Sequence, residues 1–169
     1  MRALWASHYE EVLRFAMRRA DAELATEVAA DTFLVAWRRR SRVPEGAERA
    51  WLLGVARKTL ANGRRSERRR GALVERLTRN PALPAPDPAE RGDSSDLAAA
   101  FRTLSAKDRE ALSLVAWEGL SPAHAAQALG CGEVAFRVRL HRARTRLKAA
   151  LDAGSVAVKT DEQPSGGVS

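Results

Sequence analysis

Four prolines within eight residues limit what this 169-residue chain can fold into: Pro81, Pro84, Pro86 and Pro88. Each proline lacks a backbone N–H and fixes φ, so the segment favours an extended conformation and cannot continue a helix. We therefore predict a flexible, proline-rich linker over residues 71–95. It would join two small domains over residues 1–70 and 96–151, and the polar residues 152–169 would form a disordered tail.

The charge distribution matches this division of the chain. The net charge is +8, of which residues 1–70 carry +7 and residues 96–151 carry +4, while the connector between them is close to neutral. Two basic blocks separated in this way indicate two separate contacts with a polyanion. Arginine supplies most of the positive charge, and composition alone leaves open whether a GC-rich genome explains that preference.

The sequence lacks the residue patterns on which several classes of protein function depend. The single cysteine, Cys131, allows neither an intrachain disulfide nor a zinc cluster. None of the three histidines, His8, His124 and His141, lies in a triad or metal motif. No apolar run is long enough for a membrane span, and no secretory signal is present. We expect a soluble cytoplasmic protein that is not an enzyme and uses no metal or cofactor.

The residue pattern predicts an all-α fold. Alternating β-branched runs are absent, and alanine, leucine, arginine and glutamate dominate. In the first block we predict helices over about 7–20, 22–42 and 47–65, with Asp21 as the N-cap of the second. The third helix runs into an arginine cluster that would hold phosphates or form a solvated helix end: Arg64, Arg65, Arg68, Arg69 and Arg70.

The second block predicts a helix-turn-helix. Ser105 and Ser121 are suited to cap helices, and Pro122 follows Ser121 at a position where a missing N–H costs nothing. The turn residues Gly119 and Gly130 separate three helices, the last over about 133–150.

The last predicted helix has two different faces. An apolar stripe consists of Phe136, Leu140, Ala143, Leu147 and Leu151. The other surface is densely cationic and starts with a single acidic residue, Glu133. A solvated helix face usually mixes acidic and basic residues for internal pairing, so this surface favours docking into a DNA groove.

The second predicted helix carries an acidic ridge made of Glu23, Glu27 and Asp31, spaced four residues apart. Such a ridge would repel DNA, which leaves a basic protein partner or plain solvation as its role. The spacing alone favours solvation.

Residues 104–151 resemble region 4 of the extracytoplasmic-function (group 4) sigma factors, through Glu118-Gly119-Leu120-Ser121 and Leu140-His141-Arg142-Ala143-Arg144. The resemblance implies reading of the −35 promoter element by Arg137, Val138, His141 and Arg142, with Arg139, Arg144 and Arg146 nearer phosphate. Gly132, Val134, Ala135 and Val138 replace the small or hydroxyl residues that are common at the start of this helix. Base reading would therefore depend on Arg137, Arg142 and apolar contact with thymine methyl groups.

Residues 25–37 resemble sigma region 2.2, which implies docking of Glu23, Glu27 and Asp31 on the clamp helices of the RNA polymerase β′ subunit. A glutamine usual in that motif is Ala30 here. Residues 49–58 are similar to regions 2.3 and 2.4, which implies capture of the melted −10 element by Arg49, Trp51, Arg57, Lys58, Asn62, Arg64 and Arg65. Trp51 fits base stacking or the core, and we predict that Phe33 and Trp37 are core residues.

The resemblance as a whole implies an alternative sigma factor that binds core RNA polymerase, through the β′ clamp helices and the β flap, and directs promoter-specific initiation. An inhibitory anti-sigma partner is implied by the family. Two alternatives stay open at this stage. One is a stand-alone helix-turn-helix regulator, for which residues 1–70 would sense or dimerise. The other is a protein–protein adaptor whose arginine surface binds acidic partners.

Overall fold

Seven α-helices form the part of the chain that the structure, a computed structural model, describes: residues 2–78 and 96–161. They are α1 (Arg2–Met17), α2 (Ala22–Arg38), α3 (Glu48–Thr78), α4 (Asp96–Thr103), α5 (Ala106–Ala116), α6 (Pro122–Leu129) and α7 (Glu133–Asp161). A 3₁₀ turn, Arg40–Arg42, follows α2. The described residues contain no strand, so the predicted all-α class is confirmed.

The helix starts are set by side-chain caps at the predicted positions. Asp21 accepts a hydrogen bond from the Leu24 backbone N–H at 2.9 Å, and Ser105 and Ser121 cap α5 and α6 in the same way. Each cap satisfies one of the backbone donors that a helix N-terminus leaves free. Gly130 ends α6 in the left-handed conformation, with φ of 67°, which a residue with a Cβ adopts less readily.

Two predicted boundaries are wrong. The helix α3 continues to Thr78, although we predicted its end near residue 65 and a linker from residue 71. Likewise α7 continues to Asp161, although we predicted a disordered tail from residue 152. Residues 66–78 are mostly good helix formers, and no proline interrupts α3 before Pro81 or α7 before Pro164. The remaining parts of the predicted linker and tail, 79–95 and 162–169, lie outside the described residues.

The first three helices form a bundle around Phe15, Val28 and Leu52, all of them buried. Phe33 is buried as predicted, but the prediction of a core position for Trp37 is wrong, since 57% of its surface is exposed. Ala36 takes the inward position in the last turn of α2. Because successive helical residues are about 100° apart, Trp37 then points away from the bundle.

The last four helices pack around Phe136, whose side chain is fully buried. Leu114, Leu120 and Ala143 are buried in the same core, so α7 packs against the two helices before it. Cys131 is partly buried against this core. The helix-turn-helix of α5, α6 and α7 is therefore present as predicted.

The two halves of the chain pack against each other, which the sequence did not predict. A Cβ added to Gly54 of α3 would lie 3.0 Å from the backbone oxygen of Ala128 in α6. So close an approach of two helices requires glycine on one side and a small residue on the other. The buried residues of both halves form one continuous cluster. None of the described helices is long and apolar enough to cross a membrane.

Candidate nucleic-acid interface

The exposed face of α7 brings together most of the cationic side chains expected to contact DNA. Phe136, Leu140 and Ala143 are buried and anchor the helix from below. The side chains on the outer face are exposed to solvent: Arg137, Val138, His141, Arg142 and Arg144. A helix held by an apolar stripe and cationic on its open side has the geometry that docks into a major groove.

Two apolar side chains stand among these cations. Val134 is 76% exposed and Val138 is 46% exposed, both near the N-terminal end of α7. Burial of a valine is normally favourable, so exposed valines on a cationic helix face suggest a partner surface that is itself partly apolar. The methyl groups of thymine in the major groove meet that description.

Two of the predicted DNA-contact arginines on α7 have partners inside the protein. Arg146 places Nη1 2.6 Å from Oδ2 of Asp108, a buried carboxylate of α5. This ion pair ties the two helices together. Arg137 pairs with Glu133 one turn earlier, with Nε 2.9 Å from Oε1, but both side chains stay exposed. The Arg137 pair orients the guanidinium without removing it from solvent.

Arg139 lies apart from the open face of α7. It is half-buried and faces a cavity between the two halves of the chain, where Arg57 of α3 also points. The structure therefore separates Arg139 from the other predicted contacts on this helix.

The acidic ridge of α2 is accessible along its whole length. Glu23, Glu27 and Asp31 are all exposed, and so is Ala30 between them. The opposite side of the helix, which includes Val28 and Ala29, is buried in the bundle. The ridge is thus a surface feature fixed in place by a rigid helix.

The residues of α3 expected at the −10 element fall into two groups. Lys58, Asn62 and Arg65 are exposed. Arg57 and Arg64 line the cavity at the junction with the second half. Arg57 donates a long hydrogen bond, 3.5 Å, to the backbone oxygen of Leu129, and Arg64 donates to the backbone oxygen of Arg19 within the first half.

Arg49 and Trp51 lie near the start of α3. Trp51 is partly buried against the core, which fits the structural role better than full exposure for base stacking. Arg49 places Nε 3.0 Å from Oε2 of Glu11. Burial raises the pKa of Glu11, but hydrogen bonds from His8 and Arg49 and the charge of Arg49 lower that pKa below its ordinary value. Glu11 therefore stays ionised and keeps Arg49 in position.

An interdomain ion cluster was missed by sequence reasoning. Glu118, in the turn before α6, is 3% exposed, and it accepts hydrogen bonds from Arg18 and, at 3.0 Å, from Arg19 Nη1. Arg19 also lies over the ring of Phe15, 3.7 Å from its centroid. The partners are about 100 residues apart in the chain, so no local pattern pairs them. The only sequence signal is two adjacent arginines at the end of α1.

Among the described residues, no three His, Cys, Asp or Glu side chains lie close enough together to hold a metal ion.

Comparison with known proteins points in one direction. The family model described as sigma-70, region 4, matches residues 94–147. The ECF RNA polymerase sigma factor SigL of Mycobacterium tuberculosis is 33% identical over 156 residues, which cover 89% of this chain and 88% of SigL.

Two solved structures are similar in fold as well as sequence. One is the sigma factor RpoE from Bartonella quintana in complex with the anti-sigma factor NepR, with a TM-score of 0.60 and 27% identity, covering 89% of this chain and 96% of RpoE. The other is CnrH in complex with the cytosolic domain of CnrY, with a TM-score of 0.56 and 28% identity, covering 89% of this chain and 86% of CnrH.

Proposed function

This chain belongs to the extracytoplasmic-function (ECF) sigma factors of RNA polymerase, and from that premise we propose how its residues divide the work of an alternative sigma factor that directs transcription initiation. The observation that carries the proposal is the face of α7 described above. It lies within the residues that match the sigma-70 region 4 model, and it is cationic outside and anchored by Phe136 inside.

Residues 96–151 read the −35 element. Arg137, His141 and Arg142 approach base edges from the exposed face of α7, and Val134 and Val138 contact thymine methyl groups. Arg144 binds phosphate, a contact without sequence information. Arg146 acts as a positioning residue, because its ion pair with the buried Asp108 sets α7 against α5.

Residues 1–70 bind polymerase and the melted −10 strand. The acidic ridge of Glu23, Glu27 and Asp31 supplies a rigid, exposed and negatively charged surface that complements a basic protein partner, here the β′ clamp helices. Lys58, Asn62 and Arg65 on the open side of α3 meet the −10 strand. Arg49 adds a positive charge to that face, and its ion pair with Glu11 holds it in position.

The packed arrangement of the two halves has to open for the complete promoter contact. Arg57 and Arg64, expected at the −10 element, lie at the junction with α5 and α6. Each module alone makes few contacts, so tethering through the chain between residues 78 and 96 raises the affinity of the second contact once the first is made. Polymerase sets the distance between the two elements, and free protein binds promoter DNA poorly.

Further partners follow from the family. RpoE was solved in complex with the anti-sigma factor NepR, and CnrH in complex with the cytosolic domain of CnrY. We include an anti-sigma partner in the proposal for this chain, and the β flap of polymerase as the contact of residues 96–151. Any chemical step belongs to the polymerase, and the site of action is the nucleoid in the cytoplasm.

Two variants separate the proposed roles in one experiment. Glu27→Lys with Asp31→Lys places positive charge where the ridge meets polymerase, so binding to core RNA polymerase should weaken about tenfold or more.

Arg137→Ala with Arg142→Ala should leave polymerase binding unchanged. It should reduce promoter-specific transcripts about tenfold or more, through lost base contacts. Polymerase binding is measured by fluorescence anisotropy and transcription by run-off assay.

The control is Glu10→Lys, which makes one such charge reversal at an exposed position on α1. It should preserve both activities. A ridge variant that binds polymerase as well as Glu10→Lys does would contradict the role of the ridge. A recognition-helix variant with undiminished transcripts would contradict the role of α7.

A further inference from the structure

A cavity of about 350 Å³ lies between the two halves of the chain and has no role in the function proposed above. The first half contributes Arg19 from the turn after α1, and Arg57 and Arg64 from α3. The second half contributes Lys107, Glu110 and Arg139. Five cationic side chains and one carboxylate thus line the same partly open space, which we call the interdomain cavity.

Two of its arginines have buried donor atoms without a partner among the described residues: Nη2 of Arg19 and Nε of Arg57. Buried polar groups in folded proteins are normally hydrogen-bonded, so each such donor marks a position that a bound acceptor would fill. Guanidinium donors suit the oxygens of a phosphate group in particular, because charge-assisted hydrogen bonds to phosphate are short and strong.

The carboxylate adds a second requirement. Oε1 of Glu110 is buried and likewise has no hydrogen-bond partner in the described part of the chain. A carboxylate beside a phosphate site repels a bare anion, but it accepts a hydrogen bond from a hydroxyl or amino group. Glu110 lies 3.7 Å from Arg19, so the lining matches a ligand that carries phosphate groups and, close to them, hydrogen-bond donors.

The size of the interdomain cavity limits the ligand further. Sites for small molecules usually measure about 300–1,000 Å³, and this one lies near the lower end. A duplex or a protein segment is too large for it.

From these observations we propose that the interdomain cavity is a binding site for a small phosphorylated metabolite of the nucleotide class. Its phosphates would meet Arg19, Arg57 and Lys107, and its sugar or base donors would meet Glu110. Because the cationic groups come from both halves, such a ligand binds the packed arrangement more tightly than the open one and shifts the population toward it.

Isothermal titration calorimetry on the full chain tests the site, with inorganic pyrophosphate, ATP and adenosine as separate probes. We expect one site per chain, occupied by ATP and more weakly by pyrophosphate, and no binding of adenosine. Lys107→Glu changes an exposed lining residue, so the variant should fold, and it should weaken ATP binding about tenfold or more. Glu110→Gln should strengthen pyrophosphate binding by removing a repelling charge.

Arg38→Glu is the matched control, since Arg38 is an exposed cation of the first half that does not face the cavity and the substitution makes the same charge change as Lys107→Glu. It should change ATP affinity less than twofold. Equal losses in Arg38→Glu and Lys107→Glu, or more than one ATP per chain, would mean general attraction of anions to a basic surface and would overturn the proposal. So would the absence of binding by both phosphate probes. Neither polymerase nor DNA is present, so the result is independent of the proposed promoter function.

Discussion

Replacement of Glu118 by alanine should lower the free energy of unfolding by about 3 kcal/mol, the low end of the range for a buried ion pair that loses one partner. Glu118 is 3% exposed and pairs with Arg18 and Arg19 across the two halves. Its removal leaves Arg19 largely buried with only Glu110, 3.7 Å away, as a remaining ion partner. The expected loss in free energy of unfolding lies at the low end of that range because Arg18 is partly exposed and regains water.

Urea-induced unfolding followed by circular dichroism measures this loss, and small-angle X-ray scattering should show a larger radius of gyration as the halves separate. The control is Glu133→Ala, which breaks the exposed pair with Arg137 on α7. An exposed pair at this spacing contributes no more than about 0.5 kcal/mol. Equal stabilities of the two variants, with an unchanged radius of gyration, would show that the Glu118 cluster does not hold the halves together.

Phe136→Ala should cost about 3–5 kcal/mol, because the change removes a large side chain from a fully buried position and leaves a cavity. Phe136 is the anchor of α7 in the core of the second half. Its loss should therefore loosen the packing of α7 against the core and reduce −35 recognition, although the Phe136 side chain itself is fully buried.

The matched control for this prediction is Val134→Ala, two residues away on the same helix and 76% exposed. An exposed substitution of this kind changes stability by no more than about 0.5 kcal/mol. Chemical unfolding of both variants gives the comparison. A Phe136→Ala variant as stable as Val134→Ala would contradict the placement of the apolar stripe of α7 beneath its cationic face.

Local chemistry is the part of this fold that could be predicted from the sequence. Asp21, Ser105 and Ser121 cap helices at the predicted positions, since an N-cap acts through backbone donors two or three residues away. The apolar stripe of α7 was equally predictable, because its period matches the turn of a helix. In each case the interacting groups lie within one or two turns of one another.

Contacts between distant segments could not be predicted in this way. The pair of Arg146 with Asp108 joins residues that are 38 positions apart and links α5 to α7. The exposure of Trp37 was also missed, because apolar spacing does not show that Ala36 takes the inward position in the last turn of α2. The Glu118 cluster and the interdomain cavity depend on how the two halves pack, which no local pattern specifies.

We expect this chain to give core RNA polymerase a choice of promoter that the enzyme lacks alone. The most direct test is transcription of genomic DNA from the source organism by purified core polymerase, with and without the full chain, and mapping of transcript 5′ ends. We predict a set of start sites that appear only with the chain and share two sequence elements upstream. Identical start sites in both reactions, together with tight binding of the free chain to duplex DNA, would contradict the role of a sigma factor and favour a stand-alone regulator.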